Sequence, residues 1–423
     1  MKIALFSYEF FPSIGGVSRH LTSFCKAFQE SDHQLYVFNQ GYNGKDIFGI
    51  LEKKNYSLKN IILSFKNRLF LYYFISIVWR IFKDKRVFLS QRLKICIYFM
   101  LKPQYLVRTI KNLKKIYPYF KKYNFDLILG GTCGSNILNL VYVVSLLFNK
   151  KVIAWAHGNE FLTHSAFSVK TCFLKTLKKI IISNHQIKYL IKEIHNLEEN
   201  QLVLIPYGLT IKDYKLDITK KEIRQNFNIQ KEEFIILSVG RHVPRKNFDL
   251  VIQAIKEIKE ANPEYKIKYY LIGTGPESSK LKELAKILKV EKYVFFLGAI
   301  EESVRNKFYK IADVFVMPSI KKKESVEGFG LVFLEANLFK VPVIGASSGG
   351  IKEAIINGKS GFLIEPNDIH GLIEKINFLY NNQEIKTEMG EYGQKRVITN
   401  FNWEELIQKY FKLFNEINEN NLI

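Results

Sequence analysis

Six short apolar runs punctuate the second half of the chain: FIILSVGR (234–241), KYYLIGTG (268–275), YVFFLGAI (293–300), DVFVMPS (313–319), VPVIGAS (341–347) and GFLIEP (361–366). Segments with helical spacing lie between them. Apolar runs of four to eight residues closed by Gly, Pro or Ser read as strands buried on both faces. Strands alternating with helices imply a parallel, doubly wound sheet. Asn247 and Asp249 stand where the helix LVIQAIKEIKE needs a cap.

The first half opens in the same way. KIALFSYEF (2–10) leads through Pro-Ser-Ile-Gly-Gly into the helical pattern SRHLTSFCKAF, then the strand HQLYVF. FDLILGG (125–131) and KVIAWAHG (151–158) are further buried strands, and LVLIPYG (202–208) reads as the last of this half. Two α/β domains suit a chain of 423 residues. The final helical pattern, 402–417, is amphipathic.

Hydrophobic residues make up 47% of the chain, enough for large cores, so disorder is not expected. Four scattered cysteines, Cys25, Cys96, Cys133 and Cys172, form no CxxC or Cys/His cluster. They point to a reducing cytoplasm rather than a disulfide scaffold or zinc site. The N-terminus does not read as a signal peptide. The longest apolar run, 69–79, is fenced by Arg68 and Arg80. It is about half the ~20 residues that span a bilayer, so no transmembrane helix is expected.

The net charge is +23, from 63 basic and 40 acidic residues, which calls for an anionic partner. Residues 51–125 hold 18 Lys and Arg against two acids, Glu52 and Asp84. Tyr, Phe, Leu and Ile alternate with the cations, and much of the stretch can be drawn as amphipathic helix. A solvated helical insertion, a face for an anionic membrane or lipid acceptor, and a nucleic-acid surface all fit such a run. Nucleic acid is the least expected, because no nucleic-acid-binding module surrounds it.

Open α/β sheets place ligands at the carboxyl ends of their strands. Gly15-Gly16 after the first strand allows close backbone approach to a ligand, or is simply a tight turn. His157, after the strand at 151, is a ligand contact or a structural histidine. Arg241 and Lys246 in GRHVPRKN are a diphosphate clamp or solvated loop cations. Gly273-Thr274-Gly275-Pro276 resembles the start of a dinucleotide fingerprint, but Ser278 replaces the third glycine, which speaks against NAD. VEGFGLVFLEA (326–336) holds Glu327 in a loop before a helix and Glu335 one to two turns inside it, with the amides of Phe329 and Gly330 between. Two carboxylates around an anion-binding helix start could hold sugars on either side of a diphosphate.

E-G-F-G-L-x-x-L-E with this spacing resembles the signature of retaining GT-B glycosyltransferases, the large family typified by phosphatidylinositol mannosyltransferases and sucrose-phosphate synthases. GG, HG, GR…K, GxGP and GG-x-x-E (Gly349, Gly350, Glu353) come in that family's order. The resemblance implies two Rossmann-like doubly wound domains facing a central cleft. These would be 1–206, binding the acceptor and carrying the basic insertion at about 45–122, and 207–400, binding the nucleotide sugar. A helix at 401–423 would cross back onto the first domain. By the same resemblance, Glu327, His157, Arg241 and Lys246 are catalytic. Gly16, Arg241, Lys246, Gly273, Glu327, Phe329, Gly330, Leu331 and Glu335 bind the donor, with Glu327 on the transferred sugar and Glu335 on the ribose.

The activity this resemblance implies is retaining transfer from a GDP- or UDP-sugar to a glycan or lipid-linked acceptor, with no cofactor and no metal. The setting implied is surface polysaccharide or glycolipid synthesis. The protein would be cytoplasmic, with peripheral attachment to the inner face of the plasma membrane as the membrane reading of the basic stretch. The sequence departs from the family where many members have Asn-Gly-Val-Asp, since here the turn is Tyr207-Gly208-Leu209-Thr210. The long loop IKKKESV before Glu327, with VPRK and HGNE, resembles the branch that uses GDP-mannose more than the sucrose branch. Competing functions are a GT-B nucleotide-sugar epimerase and a non-catalytic basic protein that binds membrane or nucleic acid.

Overall fold

A computed structural model describes residues 1–7, 15–29, 31–39, 70–161, 169–322 and 325–419. The chain divides into two compact units. One is Met1–Pro206 with Leu406–Ile423, the other Tyr207–Glu405.

The first unit runs β1 (Lys2–Ser7), α1 (Gly16–Phe28), β2 (Gln34–Asn39), α2 (Phe70–Lys83), α3 (Leu89–Leu101), α4 (Pro103–Tyr123), β3 (Leu127–Gly130), α5 (Ser135–Phe148), β4 (Lys151–Ala156), α6 (Lys170–Thr176), β5 (Lys179–Ile182), α7 (His185–His195) and β6 (Leu202–Leu204). The strands form one parallel sheet in the order β2-β1-β3-β4-β5-β6. β5, with sequence KIII, is not among the strands expected from the sequence. Four apolar residues after a helical segment carry no periodicity of their own. The expected strand at 2–10 is observed over Lys2–Ser7, and residues 8–10 lie outside the described residues.

α5 is buried at nine consecutive positions, 137–145, as a helix enclosed on all sides must be. The basic stretch supplies part of that enclosure. Ile77, Ile81, Ile95, Phe99, Leu113 and Ile116 of α2, α3 and α4 join the same apolar core as α5 and the sheet. Asp84 is buried there, accepting two bonds from the Arg86 guanidinium (2.8 and 3.1 Å), one from the Arg86 backbone N–H (3.1 Å) and one from the Tyr142 hydroxyl (3.1 Å). Residues 45–69 of the expected insertion lie outside the described residues.

The second unit runs α8 (Lys220–Asn226), β7 (Phe234–Val239), α9 (Phe248–Ala261), β8 (Ile267–Ile272), α10 (Ser278–Ile287), β9 (Val294–Gly298), α11 (Glu302–Ile311), β10 (Val314–Met317), α12 (Leu331–Leu338), β11 (Val343–Ala346), α13 (Ile351–Ala354), β12 (Gly361–Ile364), α14 (Ile369–Asn381) and α15 (Gln383–Asn400). All its strands are parallel, in the order β12-β11-β10-β7-β8-β9. This is the Rossmann order, whose direction of winding reverses between β7 and β10. β7 is buried at every position because helices cover both faces of the sheet.

A last helix, α16 (Trp403–Glu419), places most of its length in the first unit. There Trp155 Nε1 donates to the Tyr410 hydroxyl at 3.0 Å, and Phe24 packs edge-on against the Tyr410 ring. Where the chain enters and leaves the second unit, its two passages are tied by backbone bonds. Leu209 N–H donates to the Phe401 carbonyl (2.7 Å) and Trp403 N–H to that of Leu209 (3.2 Å). Among the described residues, no helix is long and apolar enough to cross a membrane.

Candidate active site

The strand order fixes the position of a crevice in the second unit. A ligand crevice forms outside the carboxyl ends of neighbouring strands whose connections depart to opposite sides. Here those strands are β7 and β10, continued by GRHVPRKN and by the loop that leads to Glu327.

After β7 the chain makes a 3₁₀ turn at Pro244–Lys246, then reverses at Asn247, which has φ 58°. Asn tolerates that left-handed conformation better than most residues. Asn247 does not cap α9 as expected. It occupies the cap position, but its side chain donates to Asn367 Oδ1 (3.2 Å) and makes no cap bond. The turn sends Lys246 back beneath the strand end. Its Nζ lies 2.6 Å from Glu327 Oε2 and 3.1 Å from Met317 Sδ. Arg245 Nη1 binds the same Glu327 oxygen. The Ile320 N–H donates to the Arg245 carbonyl (2.8 Å), which joins the two strand-end loops.

Glu327 and Lys246 are both nearly enclosed, with side chains 12% and 8% exposed. Burial would raise the Glu327 carboxyl, but Lys246 and then Arg245 hold it at about 2. Burial lowers Lys246, and Glu327 opposes that shift. Two cations and one carboxylate leave this group with a surplus positive charge beside the crevice. Arg241 is not part of it and stands exposed on the loop. Arg245, absent from the residues expected to form the site, holds the second cationic position. One arginine in a basic loop reads like another until the turn shows which faces the acid.

Gly330 sits at the N-terminus of α12 with φ 81°. A Cβ there would lie 2.7 Å from the Phe333 ring. The cap position of α12 is a glycine that makes no side-chain cap bond, which leaves that place at the helix start available to an anion. The Phe329 side chain is buried against Tyr207 and Phe401, which leaves only its backbone for a ligand. Leu331, the first helical residue, is also buried. The GG-x-x-E segment closes over this loop. Gly350 N–H donates to the Glu327 carbonyl (3.0 Å), and a Cβ on Gly349 would come within 2.6 Å of that oxygen.

Glu335 lies inside α12 where the spacing put it. It lies one turn into α12 but is fully buried and does not face outward. Its Oε1 accepts from the Tyr214 hydroxyl (3.1 Å) and its Oε2 from that of Tyr309 (2.9 Å), with Arg305 Nε at 4.0 Å. A buried carboxylate needs such donors. A ribose hydroxyl would have to enter this packed group to reach it. Gly273 also has a clear packing role. A Cβ there would fall 2.0 Å from the Gly240 carbonyl oxygen, and one on Gly275 would fall 2.3 Å from that of His242. The GTG segment is glycine-rich because its backbone lies against the GRH backbone.

In the first unit, His157 comes directly after β4 and is buried. Its Nε2 donates to the Gly131 carbonyl at 2.8 Å, and its backbone N–H donates to Glu160 Oε1 at 2.8 Å. Gly131 stands at the end of β3, at the winding reversal between β1 and β3. Gly16 begins α1, where a Cβ would meet nothing within 4 Å among the described residues.

Residues 219–396 match the family described as "Glycosyl transferases group 1". The capsular polysaccharide biosynthesis glycosyltransferase CapM of Staphylococcus aureus is 28% identical over 240 residues, 55% of this chain and 60% of CapM. A GDP-mannose-dependent alpha-(1-6)-phosphatidylinositol monomannoside mannosyltransferase of Mycolicibacterium smegmatis is 30% identical over 171 residues, 40% of this chain and 44% of that protein. The matches thus span less than two thirds of these relatives' own lengths. In structure, a sucrose-phosphate synthase from Thermosynechococcus elongatus superposes with a TM-score of 0.75, covering 98% of both chains at 20% identity, which carries the fold. Residues 219–396 of the second unit thus match the sequence of the glycosyl transferases group 1 family, and the chain has the GT-B fold.

Proposed function

We propose that the protein is a retaining glycosyltransferase that moves a sugar from a nucleotide-sugar donor to a glycan or lipid-linked acceptor at an anionic membrane surface. The observation that carries this is the Glu327–Lys246–Arg245 group at the β7/β10 reversal, next to the uncapped start of α12. A carboxylate held ionised accepts hydrogen bonds from sugar hydroxyls. The surplus positive charge and the α12 amides receive the diphosphate.

In the step proposed, the bond from the sugar's anomeric carbon to the diphosphate oxygen breaks, and the bond to the acceptor oxygen forms on the same face. The acceptor's proton passes to the departing phosphate. Lys246, Arg245 and the exposed Arg241 stabilise the leaving charge, and the step calls on no cofactor. The backbone of Phe329, Gly330 and Leu331 frames the diphosphate, and Gly273 keeps the neighbouring loop close. Glu335 takes the ribose if the packed group around it opens. Gly16 and His157 belong to the acceptor-binding unit. The names of the two relatives support a capsular polysaccharide or phosphoinositol-glycan setting, and GDP-mannose is the first donor to test.

The test is calorimetric binding of UDP-, GDP- and ADP-sugars, with slow hydrolysis of each measured in the absence of acceptor. One nucleotide sugar should bind and hydrolyse, and Glu327→Ala should abolish the hydrolysis. Binding of none would sink the proposal, and conversion of the donor to its epimer would replace transfer by epimerisation.

A further inference from the structure

We propose that the outer face of α3, together with the end of α2, is the surface that docks on an anionic lipid bilayer. This rests on the membrane placement proposed above and assigns it to particular side chains.

α3 buries Ile95, Cys96 and Phe99 against the unit. Its other side is also apolar and lies open: Leu89, Leu93, Ile97, Met100 and Leu101 are 41–68% exposed. At 3.6 residues per turn these five fall within an arc of about 120°, a single stripe. Phe88, just before the helix, is 75% exposed, and Trp79 and Phe82 at the end of α2 are 56% and 44% exposed. Arg92 joins the two helix ends, donating to the carbonyls of Phe82 (2.8 Å) and Val87 (2.9 Å). Scattered exposed apolar residues are ordinary, but a continuous stripe flanked by more of them marks an interaction face.

The charges around the stripe choose the partner. Lys83, Lys85 and Lys94 are exposed beside it, and Lys83 Nζ stands 3.8 Å from the centre of the Trp79 ring. Across α2, α3 and α4 the sole acidic residue is Asp84, which is buried and bonded to Arg86 and Tyr142. Among the described residues of these three helices and the turns between them, the face therefore offers cations and hydrocarbon with no exposed carboxylate. A second copy of the chain would set cation against cation. Nucleic acid would match the charge and could stack on Trp79, Phe82 and Phe88, but it would leave the Leu, Ile and Met stripe unburied. An anionic bilayer satisfies both requirements, because hydrocarbon enters below the headgroups while lysines remain among them.

The experiment adds the full chain to vesicles of phosphatidylcholine, with and without phosphatidylserine, and measures co-sedimentation and tryptophan emission. Trp155 and Trp403 are each 1% exposed, so a blue shift reports Trp79. The expected result is binding and a blue shift with phosphatidylserine vesicles only. Leu93→Glu with Ile97→Glu should lower partitioning at least about tenfold. Lys83→Ala, Lys85→Ala and Lys94→Ala together should lower it roughly a hundredfold. The lysine variant keeps the test decisive if the first variant fails to fold, as judged by circular dichroism.

No vesicle binding by the native protein would overturn both the membrane placement and this face. Binding undiminished in folded variants would overturn the face alone. Self-association lost in Leu93→Glu/Ile97→Glu, or RNA binding in place of vesicle binding, would assign the stripe elsewhere and overturn the inference. Nucleotide-sugar binding in solution, measured in parallel, reads the transferase proposal separately, since it needs no vesicle.

Discussion

Replacing Glu327 by Gln tests whether the acid's role is to balance two buried cations. The carboxyl is held at about 2, against an ordinary value of 4.5. At about 1.36 kcal/mol per pKa unit, the folded protein favours the charged form by about 3 kcal/mol. Removing one partner of a buried pair costs about 3–5 kcal/mol, because the other charge stays desolvated. Gln still accepts a hydrogen bond, so a loss of about 2–4 kcal/mol is expected. In a unit of this size each kcal/mol lowers Tm by roughly 2–4 °C, so scanning calorimetry should show a fall of about 4–16 °C.

The same change removes one negative charge beside the proposed diphosphate position, raising the local net charge by one. Affinity for the free nucleoside diphosphate should therefore hold or rise, while donor hydrolysis disappears. Since the folded carboxyl titrates lower than the unfolded one, its contribution is complete above about pH 4.5 and drains away as pH falls toward 2. The stability difference between native protein and Glu327→Gln should shrink over that window. A melting temperature unchanged at pH 7, or nucleoside diphosphate affinity weakened tenfold or more, would refute the reasoning.

Other substitutions probe the packing around the site. Gly349→Ala should destabilise by about 1–3 kcal/mol in urea unfolding, since φ is 58° and the new Cβ meets the Glu327 carbonyl. Gly298→Ala, at φ 70° but in open space, should cost only about 1–2 kcal/mol. Tyr309→Phe should lose about 1–3 kcal/mol by leaving one Glu335 oxygen short of its donor, without a change in fold by circular dichroism. All four cysteines are buried, and burial pushes Cys133 well above the ordinary thiol range, so alkylation should be slow in native protein and fast in denaturant.

All six strands of the second sheet could be read from the chain, because each is an evenly apolar run between turn residues. Their order could not be. β10 lies beside β7 because helices must cover both faces of a parallel sheet, and that adjacency brings Lys246 within reach of Glu327, 81 positions away. The sequence likewise marked both glutamates as unusual acids in apolar company. Only packing separated them: Glu327 falls beside two cations at the strand ends, and Glu335 inside the core beneath hydroxyls 26 and 121 positions distant.

The basic stretch divides in the same manner. Its charge and helical spacing are legible in the letters, but α3 is apolar on two sides. Which side is buried depends on α5 and its neighbours, which lie elsewhere in the chain. Local runs are decided by side chains a few residues apart. Which charge meets which acid, and which apolar face stays open, is decided by distant elements competing for the same core.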